Sequence, residues 1–351
     1  MTVQPAKLEF LVGRMLDDMG AAAMMPLIRL GDELGLYEAM AGAGPLTSEQ
    51  LAFRTGTHER YVREWLSAHA ASGYIDYDAA SGCFTLTAEQ AMIFADPESP
   101  VFMLGGYQTI AANALTIDKI ERAFRTGEGV DYCERHACLF TGMERFFRPG
   151  YNAHLLTDWL PSISGLSAKL AQAARVADIG CGHGASTLMM AAAFPNSEFH
   201  GFDYHAPSIE LARAKAAEAG LTNAHFAVAS AKDFPGTGFD LIAYFDALHD
   251  MGDPVGAATH AAKALAEDGA LMLVEPVAGD TLLDNLNPVG RLYYAASTMV
   301  CTPVSLAQEV GLGLGAQAGQ KRLADVLNAA GLPHVRRAAT TEFNMVLEAR
   351  K

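Results

Sequence analysis

Val176-Ala177-Asp178-Ile179-Gly180-Cys181-Gly182-His183-Gly184 is the stretch that decides the fold of this chain. A short apolar strand runs straight into three alternate glycines, and a helical pattern over 186–194 follows. Glycines let the backbone turn sharply and approach a ligand, whose polar group then meets free amides at the helix start. The run has two readings. Gly180, Gly182 and Ala185 satisfy the G-x-G-x-x-G/A pattern of dinucleotide enzymes, with Asp203 near the spacing of a ribose-binding acid. Asp178, two residues before the first glycine, instead makes the run D-x-G-x-G-x-G.

Downstream, short apolar segments at 199–202, 225–228, 241–245 and 270–274 read as further strands, and 208–219 and 256–265 read as helices between them. Strands alternating with helices imply a parallel, doubly wound sheet with its ligand at the carboxyl ends of the strands. Segments 335–338 and 344–349 are joined too tightly for a helical crossover, so that pair is expected to be antiparallel. Upstream, the period is helical. Leu8, Leu11, Met15 and Met19 share one face, and 24–36 continue the pattern. Thr47 and Gln50 form a capping box, Gly56 ends that helix, and 59–71 form a second helix presenting Tyr61, Val62, Trp65 and Leu66 to a core. Two short strands around the turn-rich 78–82 complete a winged helix. The expected division is a helical, winged-helix domain over 1–150 and a Rossmann-like α/β domain over 151–351, with an insertion at 277–320.

Length and composition agree with two domains. The 351 residues are 50% hydrophobic and 19% charged, with no long uninterrupted apolar stretch of membrane-spanning kind and no secretory start. The five cysteines, Cys83, Cys133, Cys138, Cys181 and Cys301, are scattered, which suits reduced thiols in a cytoplasm. A net charge of −15 disfavours a lasting complex with nucleic acid. In the winged-helix segment Arg54, Arg60 and Arg63 are outnumbered by Glu49, Glu59, Glu64, Asp76, Asp78 and Glu89, the reverse of a DNA-reading face. A transcription regulator that senses a cofactor is therefore the weaker alternative. A nicotinamide oxidoreductase is weaker still, since no Tyr-x-x-x-Lys pair accompanies the glycines.

The D-x-G-x-G-x-G run resembles motif I of class I S-adenosylmethionine-dependent methyltransferases, and the later strand ends match that family in order. They are Phe202-Asp203, Ala231-Lys232-Asp233-Phe234-Pro235, Phe239-Asp240-Leu241-Ile242, Leu248-His249-Asp250 and Leu273-Val274-Glu275-Pro276. With its winged-helix N-terminal half the chain is similar to small-molecule O-methyltransferases. Phe147-Arg148-Pro149-Gly150-Tyr151 and Asp284-Asn285-Leu286-Asn287-Pro288 are shared with a group of bacterial, notably mycobacterial, methyltransferases.

The resemblance implies a cofactor site built from Asp178, Gly180, Cys181, Gly182, Asp203, Tyr204, Ala231, Lys232, Asp233, Phe234 and Phe245. S-adenosylmethionine would enter it and S-adenosylhomocysteine leave. Asp203 would take the ribose hydroxyls, Asp178 the glycine turn or the cationic amino-acid end, and Ala231 to Asp233 the adenine edge. His249 would be the general base for a hydroxyl acceptor, because imidazole titrates near the working pH; a sulfur or nitrogen acceptor needs no base. Glu275 or Asp250 would orient it. The acceptor wall would draw on Phe147, Tyr151, Asn152, His154, Asp250, Arg291, Tyr293 and Tyr294, with Arg148 or Arg291 clamping a carboxylate and the glycines of 277–320 making a lid. No metal is expected, since Glu275-Pro276 stands where a magnesium site needs an Asp-Asn pair. A homodimer through the N-terminal domain completes the implied picture.

Overall fold

The computed structural model describes residues 2–351, which divide into two compact units. The first comprises the chain up to Ala111 together with Thr141–Pro149; the second comprises Ala112–Phe140 and Gly150–Lys351.

The first unit is helical apart from one hairpin. Its long helix Pro5–Glu33 starts with proline in the first turn, where the missing N–H is harmless. Only its second half is buried, at Met24, Ile28 and Gly31; Leu8, Leu11, Met15 and Met19 share a face but lie exposed within the chain. The helix Ser48–Thr55 carries the full Thr47–Gln50 capping box and ends on Gly56 in the left-handed region. The next helix spans Glu59–Ala71, and the wing follows as β1 (Asp76–Asp78) and β2 (Cys83–Thr85), paired antiparallel. Val62, Trp65 and Leu66 enter the core as expected, whereas Tyr61 is 79% exposed. Tyr61 corrects the expectation because it sits one position off the stripe formed by 62, 65, 66 and the buried His69. The arginines of this helix are taken up locally: Arg60 pairs with Glu64, and Arg63 with Glu59 and Glu49.

The second unit is built on a seven-stranded sheet. Its strands are β3 (Arg175–Ile179), β4 (Glu198–Asp203), β5 (Ala224–Val228), β6 (Phe239–Phe245), β7 (Leu265–Pro276), β8 (His334–Thr340) and β9 (Asn344–Arg350). The order is β5-β4-β3-β6-β7-β9-β8; β3 to β7 run parallel, and β9 is antiparallel to both β7 and β8. β7 begins earlier than its apolar core suggests, because Leu265 pairs with Phe239 before an irregularity in register between Phe239 and Leu241. The order reverses between β3 and β6, so the crevice of an open α/β sheet falls at the carboxyl ends of β3, β4 and β6.

The segment 277–320 carries helices rather than a bare loop. It contains the helices Pro288–Ala296 and Thr302–Leu306 joined by a wide turn over Ser297–Cys301. The polar residues of its shared sequence tie it together. Asn285 bonds Gly279 in both directions and Asn287 caps the helix at Gly290. Gly315 permits close packing, since a Cβ there would lie 2.7 Å from Ser297 Oγ.

Candidate active site

The glycine turn forms as its spacing demands. Gly180, Gly182 and Gly184 all have positive φ, at 75°, 54° and 80°, and Gly184 precedes the helix Ala185–Ala193. Asp178 is buried on β3 beneath this turn, its Oδ2 accepting the hydroxyls of Ser186 and Thr187 at 2.6 Å each. Burial raises its pKa to about 6, against the lowering effect of those hydroxyls. At the end of β4, Asp203 accepts the Gly182 N–H at 2.9 Å and the His205 N–H at 2.8 Å. One carboxylate therefore holds the turn and the start of the next helix.

The other residues of the expected cofactor site spread around these two acids. Cys181 is buried, Tyr204 is 45% exposed, and Phe245 closes β6 with Tyr151 edge-on at 5.5 Å. Ala231 is half-buried, and Asp233 accepts the Ser230 N–H at 3.0 Å. Lys232 pairs with Glu309 at 2.6 Å and lies 3.4 Å from Asp253. Phe234 is 1% exposed and stacks on Phe202 inside the sheet core, with His260 donating to its carbonyl.

His249 follows β6 in a single turn, Leu248–Asp250, and is 4% exposed. Glu275, at the end of β7, holds it twice: Oε1 accepts the N–H of Leu248 and of His249, and Oε2 takes the imidazole Nδ1. Nε2 lies 3.0 Å from Asp250 Oδ1, within ion-pair range. Burial works against the imidazolium, but Glu275, Asp250 and Cys301 outweigh it and raise the pKa well above its usual value. Asp246, the residue after β6, has a positive φ of 50° and a buried carboxyl that burial and Glu275 drive toward the neutral form. Its Oδ1 accepts from Asn344 at 2.8 Å.

The remaining sequence candidates divide by place. Tyr293 is buried and donates to the Phe343 carbonyl, with the charges of Asp246 and His249 acting on it; Tyr294 is half-buried and Arg291 is exposed. Tyr151 and the half-buried Asn152 belong to the second unit, as does His154, which bonds Asp158 at 2.7 Å. Phe147 lies in the first unit against Phe146, and Arg148 pairs there with Glu98 at 2.7 Å. Reading by motif missed Tyr132 and Arg135. They lie in no recurrent pattern, and only the fold brings Tyr132 within 6.4 Å of the Tyr204 ring.

His249, Asp250 and Cys301 bring one donor atom each within 4.8 Å of one another. The mixed nitrogen, oxygen and sulfur set would suit zinc rather than magnesium. Asp250 of this set also faces the charge of the buried Arg135 guanidinium.

Comparison with known proteins agrees with this geometry. Residues 170–331 match the family model described as a methyltransferase domain, and residues 20–95 match the Rv2258c-like winged HTH domain. The protein thus carries a winged helix-turn-helix domain over 20–95 and a methyltransferase domain over 170–331. A curated relative, the mitomycin biosynthesis 6-O-methyltransferase of Streptomyces lavendulae, is 32% identical over 101 residues. That match spans 29% of each chain. Among solved structures, the mitomycin 7-O-methyltransferase superposes with a TM-score of 0.69 at 21% identity, covering 99% of this chain and 100% of the other. Human N-acetylserotonin methyltransferase, solved with S-adenosylmethionine, gives 0.70 at 16% identity, covering 100% and 98%.

The residues present fit that cofactor on chemical grounds. Asp178 Oδ1 is buried with no hydrogen-bond partner, an acceptor suited to an ammonium group, and a Cβ at Gly182 would point into open space above the turn. Asp203 keeps free lone pairs beside its two amide bonds, as a diol acceptor requires.

Proposed function

We propose that the protein transfers the methyl group of S-adenosylmethionine to a hydroxyl of a small molecule, with His249 as the general base. The observation that carries this reading is the Glu275–His249 pair, set one turn beyond β6 with Asp250 3.0 Å from Nε2. When bound, the cofactor supplies a methyl group already activated on a sulfonium. Asp203 and the 180–184 turn hold its nucleoside half, and Asp178 and Cys181 lie beneath the other end. Ala231, Lys232, Asp233 and Tyr204 line the adenine side through backbone and ring edges, and Phe234 backs them from the core. Phe245 and Tyr151 exclude water at the end of β6. His249 Nε2 takes the hydroxyl proton as the oxygen attacks, while Glu275 fixes the proton on Nδ1 and so keeps Nε2 as the accepting nitrogen. Positioning and exclusion of water supply most of the rate. Asp250, Tyr293, Tyr294, Asn152, His154 and Arg291 are the acceptor-side residues.

Titration with S-adenosylhomocysteine, in parallel with NADH, tests the cofactor. Saturable binding of the first that Asp203→Ala loses supports the reading, and binding of NADH alone overturns it. His249→Ala should keep that binding and lose on the order of a hundredfold or more in turnover. A variant that keeps full turnover would move the reading to a nitrogen or sulfur acceptor. We further propose a cytoplasmic homodimer. The five cysteines are free thiols, and the exposed apolar half of Pro5–Glu33 supports self-association. The ion-paired arginines of Glu59–Ala71 argue against a DNA-reading role for the winged helix.

A further inference from the structure

Arg135 is 5% exposed, and Nε, Nη1 and Nη2 all lack a hydrogen-bond partner. A guanidinium has five donors in a fixed fork, and burying it with none of them matched is strongly unfavourable unless a ligand completes it. Its segment is well anchored. The Arg135 N–H bonds the Tyr132 carbonyl at 3.1 Å, Tyr132 packs edge-on against Phe140 at 4.8 Å, and Phe140 stacks on His205 at 4.3 Å, just beyond β4. The unmatched fork is therefore a property of a packed element.

Its neighbours say which side of the site it serves. Asp250, Cys301, Tyr132 and Glu134 are the groups whose charge acts on Arg135. Arg135 thus lies toward the His249–Asp250–Cys301 cluster, and Tyr132 feels the charges of both Asp250 and Asp203. Asp250 offers it no aligned hydrogen bond, and the two arginines that sequence reading favoured for an acid lie elsewhere, Arg148 paired with Glu98 and Arg291 exposed. A planar fork matches a carboxylate through two parallel hydrogen bonds.

We propose that Arg135 binds a carboxylate of the methyl acceptor, so that the substrate class is hydroxy acids presenting their hydroxyl to His249. This rests on the O-methyl-transfer reading above. The test is titration calorimetry of the protein saturated with S-adenosylhomocysteine, using a panel of hydroxybenzoates and hydroxynaphthoates against their carboxamides. Parallel titrations use S-adenosylhomocysteine and 5′-methylthioadenosine, which lacks the amino-acid end. Wild type should prefer the best acid over its amide at least tenfold. Arg135→Met should abolish that preference and Arg135→Lys weaken it, with S-adenosylhomocysteine affinity unchanged in both. Wild type with no acid preferred over its amide overturns the proposal without any variant. So does an Arg135→Met protein that loses S-adenosylhomocysteine affinity but keeps that for 5′-methylthioadenosine, since the arginine would then serve the cofactor's own carboxylate. Failure of wild type to bind S-adenosylhomocysteine overturns the underlying reading instead.

Discussion

His249 and Asp178 sit in opposite electrostatic situations, and each ties function to pH. Carboxylates around His249 raise its pKa well above the usual value despite burial. A general base must be neutral, so kcat/KM should climb about tenfold per pH unit through neutrality and level off above the raised pKa. Glu275→Gln removes the largest stabilising charge and should move that rising limb to lower pH, read from the pH profile; an unmoved limb would exclude His249 as the base. The same pair contributes stability fully present below about pH 6.5 and lost as pH rises through the folded-state pKa. For Asp178, burial puts the folded pKa at about 6, above the ordinary carboxylate value. The sign is therefore reversed: the free protein is favoured while Asp178 is protonated and loses stability as pH rises between about 4 and 6. An ammonium group needs the ionised form, so S-adenosylhomocysteine affinity should be flat above pH 7 and fall on acidification below about 6, by calorimetry. Affinity indifferent to pH across that range would separate Asp178 from the amino-acid end.

Elements were legible where local chemistry alone specifies them. The Thr47–Gln50 box, the helix Glu59–Ala71, the wing and the strands of the sheet, apart from the early start of β7, stand where caps, glycines and apolar runs put them. Thr47→Ala removes one side of the box and should lower stability by about 1 kcal/mol in thermal unfolding, with cofactor affinity unchanged. Gly184→Ala should do the converse harm. Its φ of 80° disfavours a side chain, and a Cβ there would approach the Phe226 ring to 2.8 Å, so both stability and S-adenosylhomocysteine binding should fall. Tyr61, expected in the core, is exposed, and 277–320, read as a loop, carries helices, for related reasons. Periodicity tells which residues share a face but not where the buried stripe ends, and glycines that resemble hinges also serve close packing.

At the scale of the molecule, the first half of Pro5–Glu33 leaves Phe10, Leu11, Met15, Leu16 and Met19 exposed. Placing Glu at both Leu11 and Met15 should convert a dimer to a monomer in light scattering without altering cofactor affinity. A wild-type monomer at micromolar concentration would remove the dimer proposal. The amino-acid sequence by itself determined the doubly wound sheet, its antiparallel last pair, the winged helix and the glycine turn with its two acids. Each of these depends on residues close together in the chain: a 2- or 3.6-residue period, a cap three positions long, or a turn that only glycine adopts. Only the tertiary structure decided the field around His249. Glu275 lies 26 positions away and Cys301 more than fifty, and their effect on the imidazole arises from burial and distance, which no local pattern encodes.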